Sequence, residues 1–211
     1  MKLRTTLLAT GAAFIAALLA ANAQVPGINS TLNSVFTLAY DNSTMKPTYS
    51  ATSNITLASA TQDFCLLTGS ATKTVKVRRV ALSGIASAVV SDPVYIMKRS
   101  TVPTSGTGTK PTIGPYDSTN SLTGSTSNAA TAVAEVFTAN PTSGTLVAEI
   151  ASRYFTFGNL STGVGALTEF AFGDLGSPIV LRGITQSVAV NLAGLTFASA
   201  QVSCTFEWTE E

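Results

Sequence analysis

No histidine occurs anywhere in the chain. That removes imidazole bases, proton shuttles working near neutral pH and His-ligated metal centres. Charge is scarce as well. Asp, Glu, Lys and Arg make up 11% of the 211 residues, under half the share in an ordinary soluble domain. With 12 basic and 11 acidic side chains the formal charge is +1, so the chain lacks the strong positive field expected of a nucleic-acid binder. No G-x-S-x-G elbow, C-x-x-C pair or calcium loop is present. The stretch "GTGTKP" has glycines and a lysine but neither phosphate-loop spacing nor a helix to follow. Nothing calls for a cofactor or a metal.

What the chain does have is serine and threonine, about a quarter of all residues. Small, hydroxylic and β-branched side chains favour strands and turns over helices. The amino-terminal residues are an exception. Lys2 and Arg4 precede an apolar run from Leu7 to Ala20, and Ala21-Asn22-Ala23 fits the A-x-A cleavage rule. Segment 1–23 therefore reads as an export leader, and cleavage after Ala23 leaves 10 basic against 11 acidic groups. Residues 24–48 read as an arm, with Ile28, Leu32, Val35 and Ala39 at helical spacing and Asn29-Ser30-Thr31 as a cap.

From Tyr49 onward the pattern is that of strands, and residues 49–211 read as one domain. "NITLAS", "DFCLLTG", "VYIMKRS", "TLVAEIASRYFTFG", "ALTEFAFGD", "SPIVLRG" and "QSVAVNLAG" each read as one. The alternation is cleanest in "AQVSCTFEWTEE", where Val202, Cys204, Phe206 and Trp208 share a face. Residues 101–127 read as a long surface loop. Residues 129–139 fit either a strand or a helix, with the alanines leaning helical. Eight to nine strands with no βαβ rhythm imply an all-β fold, an antiparallel β-sandwich of jelly-roll type.

"TKTVKVRRVALSG" (72–84) holds Lys73, Lys76, Arg78 and Arg79, a third of the chain's basic residues. Its apolar residues step from Val77 to Val80, which breaks a period of two. A β-bulge at Arg78–Arg79 restores one inward face. Lys76, Arg78 and Arg79 then form a basic outer face, a candidate contact surface that meets solvent or a neighbouring subunit's acids. Glu135, Glu149, Glu169 and Asp174 read as scattered solvent-facing acids, and Trp208 and Tyr154 as core aromatics. Cys65 and Cys204 sit in apolar, strand-like surroundings. They are either a disulfide or two buried thiols.

As a set, "TKTVKVRRVALSG", "VYIMKRS", "YDSTN", "TANPTSGTLVAEI", "FGDLGSPIVLRG" and "EWTEE" resemble small virion-associated proteins of tailed bacteriophages and prophages. The resemblance spans roughly residues 48–211. It implies a jelly-roll module that decorates a capsid or forms a head or tail appendage, without catalytic residues. It also implies homo-oligomers, commonly trimers, and contact with other virion proteins such as the major capsid protein. Nucleic acid is not an expected partner, and a membrane is met only through an uncleaved amino-terminal segment. The leader-like segment supports an alternative, an exported binding or self-assembling module in the periplasm, at the cell surface or outside the cell.

Overall fold

Alternation in the last strand organises the molecule. In β12 (Ala200–Glu210) the residues Val202, Cys204, Phe206 and Trp208 are buried, with Gln201 exposed and Ser203, Thr205 and Glu207 half-buried between them. β1 (Thr48–Leu57) lies antiparallel along it without a break, from Thr48 opposite Thr209 to Leu57 opposite Ala200. β3 (Thr74–Ala86) covers its other edge. The computed structural model describes residues 46–57, 63–106, 108–116, 129–139, 141–161, 165–173, 177–193 and 200–211. The leader 1–23 and the arm lie outside these residues except for Lys46, Pro47 and Thr48, and Thr48 already opens β1.

Nine further strands belong to the sheet among the described residues. They are β2 (Asp63–Thr68), β4 (Val90–Arg99), β5 (Gly108–Thr109), β6 (Ile113–Pro115), β7 (Val133–Phe137), β8 (Leu146–Asn159), β9 (Ala166–Ala171), β10 (Ile179–Arg182) and β11 (Ser187–Asn191). No helix occurs among the described residues. The ladder runs β5-β7-β2-β11-β4-β8-β3-β12-β1-β6. The edge of β3 not taken by β12 is shared along its length by β10, β9 and β8.

The fold is all-β, and two expectations about it are corrected. The sheet is mixed rather than purely antiparallel, because β3 and β8 run parallel at Ile85–Gly158 and Ala86–Asn159. Among the described residues it also has twelve strands rather than eight or nine. The additions are β5, β6 and β7. β5 and β6 hold two and three residues, too few to show a period, and they lie in the segment 101–127 expected to be loop. β7 is the ambiguous alanine-containing stretch. Pairing with β2, from Cys65 opposite Val136 to Thr68 opposite Val133, overrides its local preference.

The sheet curls. Between β2 and β12 the ladder takes five strand-to-strand steps, which in a flat sheet separates them by roughly 24 Å. Yet Cys65 of β2 and Cys204 of β12 form a disulfide with their Cα atoms 6.7 Å apart. Only a sheet folded back over itself brings those strands together. The enclosed space is the main core, which includes Tyr49, Phe64, Phe155, Phe157, Phe206 and Trp208. Gly84 is needed at one close approach. A Cβ there would sit 2.9 Å from the Gln201 carbonyl oxygen and 3.1 Å from the Phe157 ring.

β2 and β11 are buried on both faces. Cys65, Leu67, Val188 and Val190 point into the main core. Leu66 and Ala189 point the other way, into a smaller cluster with Phe137 and Met97. Strands covered on both sides read as unbroken apolar runs, as "FCLL" and "VAV" do.

Replacing both Cys65 and Cys204 with serine is expected to lower unfolding stability by about 2–4 kcal/mol, because the crosslink closes a loop of 139 residues. Urea titrations of the two forms test this. A loss below about 0.5 kcal/mol would contradict a closing role for the bond.

Candidate interaction surface on the basic strand

The basic strand bulges where its sequence breaks period. Val77 opposes Trp208 and Arg79 opposes Glu207, so Arg78 is an extra residue in β3. Val75 and Val77 before it, and Val80 and Leu82 after it, are buried. The reset leaves Lys76, Arg78 and Arg79 together on the outer face, and Arg78 is exposed. The backbone at the bulge is tied down, because the Arg78 carbonyl accepts the Phe172 N–H at 2.6 Å.

The structure shows where two of these charges go. Arg79 donates from Nη1 to Glu207 at 2.6 Å and from Nη2 to Glu169 at 2.8 Å. Lys76 donates to Glu211 at 2.6 Å. The acids that meet Lys76 and Arg79 belong to the same chain, on the flanking strands β12 and β9 and at the residue after β12. These bonds hold the Glu169 and Glu211 carboxyls below the usual carboxylate range and push the Arg79 guanidinium further up. Each pair is partly exposed and contributes about 0–1 kcal/mol.

Two buried carboxylates went unnoticed in the sequence. Glu210 is buried at the end of β12. Its Oε1 accepts N–H bonds from Thr131, Ala132 and the Trp208 indole at 2.9–3.0 Å. Its Oε2 accepts the Thr131 hydroxyl at 2.9 Å and lies 3.4 Å from Lys73 Nζ. The signal was available, since Glu210 continues the inward parity of Val202 to Trp208. Asp63 opens β2, and its Oδ1 accepts from Arg99 and Asn191 at 2.8 Å each. Arg99 Nε lies 2.7 Å from Oδ2 as an ion-pair contact without hydrogen-bond alignment. Arg99 also reaches the Gly144 carbonyl at 2.8 Å.

The chain matches no protein-family profile, no curated protein and no solved structure.

The remaining candidates are dispersed. Glu135, Glu149 and Glu169 stand on β7, β8 and β9, and Asp174 lies outside the described residues. No cluster of three metal-ligating side chains occurs among the described residues. Trp208 is core and packs beside Tyr49 at 5.9 Å between ring centroids. Tyr154 is not core, being 76% exposed on β8. A broad, shallow polar depression of about 530 Å³ lies over β1, β3 and β12, bordered by Asn54, Ser83, Gln201 and Ser203.

Burial pushes the Glu210 carboxyl up, but bonds from Ala132, Trp208 and Thr131 outweigh it and leave the pKa below its ordinary value. A group lowered on folding stabilises fully above its unfolded value of about 4.3, and that stabilisation disappears as pH falls through the folded value. Thermal melts of the native chain are therefore expected to weaken below about pH 4.5, with a shallower slope in Glu210→Gln. At pH 7 Glu210→Ala strands the buried N–H groups of Ala132 and the Trp208 indole and costs about 3 kcal/mol, whereas Arg79→Ala costs under about 1.5 kcal/mol. Equal losses in the two variants would contradict the distinction between buried and surface carboxylates.

Proposed function

We propose that this chain is a non-enzymatic structural protein of a bacteriophage virion, a capsid decoration or a head or tail appendage. It acts by assembling with copies of itself and with a larger lattice that includes the major capsid protein. The same proposal reads the curled sheet as a jelly-roll-type sandwich folded across the Cys65–Cys204 bond. The observation that carries it is how the charge is used. Lys76 and Arg79 are held by Glu211, Glu207 and Glu169 of the same chain, and Arg99 and Lys73 by Asp63 and Glu210. Side chains bound in this way stiffen a shell and leave little charge to desolvate when surfaces meet. The resemblance of "TKTVKVRRVALSG" through "EWTEE" to virion proteins supports the same reading.

One observation favours a second reading. The Cys65–Cys204 disulfide belongs to oxidising surroundings, which suits an exported, self-assembling module whose leader ends at Ala23. Mass spectrometry of purified particles separates the two. The virion reading expects this chain in stoichiometric amounts with its amino-terminal peptide intact. Absence from particles, together with a secreted form beginning at Gln24, would replace it with the exported reading.

A further inference from the structure

β8 meets β4 through two bulges. Ala151 opposes Ile96 and Glu149 opposes Met97, so Ile150 is an extra residue. Ala148 opposes Lys98 and Leu146 opposes Arg99, so Val147 is a second. Each extra residue resets the side-chain alternation. Ala151 packs on the main core, so its neighbour Ile150 faces away from it. Glu149 stands level with Met97, which packs on the smaller cluster behind the sheet. The same reset carries Val147 to the side of Leu146. Four apolar side chains therefore share one outer face. Leu146, Val147, Ile150 and Tyr154 are 53%, 55%, 39% and 76% exposed. Together they present on the order of 400 Å², a size that marks contact surfaces. Over Leu146–Thr156, β8 has a ladder partner on one side only among the described residues.

We infer that this strip is the contact between two copies of the chain, packed about a twofold axis at Ile150. The area fits a second copy. A standard interface takes about 800 Å² from each partner, rather more than half of it apolar, so the strip supplies most of that share. The order of residues fits as well. Leu146 and Tyr154 stand equally far on either side of Ile150. Antiparallel packing about Ile150 lays each Tyr154 over the partner's Leu146 and Val147, the self-complementarity an isologous contact needs. The bulges spoil the edge for strand addition, so the contact is side-chain packing and closes at two copies rather than the trimer implied by the resemblance. Glu149 is the one charged side chain in the strip. It approaches its twin near the axis and weakens the pair.

The inference deepens the self-association part of the proposed function and rests on it, yet it is tested apart from the virion. Sedimentation velocity of the full-length chain from about 1 to 100 µM is expected to show a monomer–dimer equilibrium. Ile150→Lys raises the dissociation constant at least about 30-fold, Glu149→Gln lowers it, and Leu167→Lys, at an exposed site on β9, leaves it unchanged. Under mild oxidation Ile150→Cys forms a covalent dimer and Leu167→Cys does not. A monomer at every concentration, indifference to Ile150→Lys, or no crosslink at Ile150→Cys overturns the inference. Crosslinked dimers from a chain absent from particles would sink the virion reading and keep this one.

Discussion

A single crosslink sets the geometry of everything else. Cys65 and Cys204 belong to strands five steps apart in one ladder. Holding them together obliges the sheet to curl, and curling creates the inside that Trp208, Tyr49, Phe155 and Phe157 fill. The parallel seam between β8 and β3 joins the two halves of the ladder. It covers only two residue pairs, and there the chain passes from the β4 side of the ladder to the β12 side. That seam makes the sheet mixed, even though nearly all of its pairing is antiparallel.

Within that frame, bulges decide which side chains face out. In β3 the extra Arg78 moves Arg79 outward between Glu207 and Glu169 while Val77 and Val80 both stay inside. In β8 two extra residues gather Leu146, Val147, Ile150 and Tyr154 onto one face. The same device yields a neutralised polar surface in one strand and an exposed apolar one in the other. The difference lies in what stands opposite. Acids on β12 and β9 flank the arginine, whereas no strand pairs with the far edge of β8 along that stretch among the described residues.

Much of this was legible in the sequence where the period was long enough to read. The alternation of Val202 to Trp208 gave the central strand, and the three-residue step from Val77 to Val80 gave the bulge. The partners of the basic residues were not legible, because Glu169 and Glu207 lie 90 and 128 positions away from Arg79. Short strands such as Gly108–Thr109 carry no period at all. The exposure of Tyr154 was missed because a lone aromatic on a strand was read as core, although it stands between Arg153 and the buried Phe155, on the face opposite Phe155 and Phe157. Glu210 was readable from parity alone, since it continues the buried face of Val202 to Trp208.

The account rests on β2 and β12 facing each other across one core. Peptide mapping of the native chain, digested without reduction and with free thiols blocked, tests this most directly. It should yield one linked species joining the peptide that contains Cys65 to the peptide that contains Cys204, and it should disappear on reduction. Recovery of both peptides singly, each carrying a blocked thiol, would contradict the closed, curled sheet.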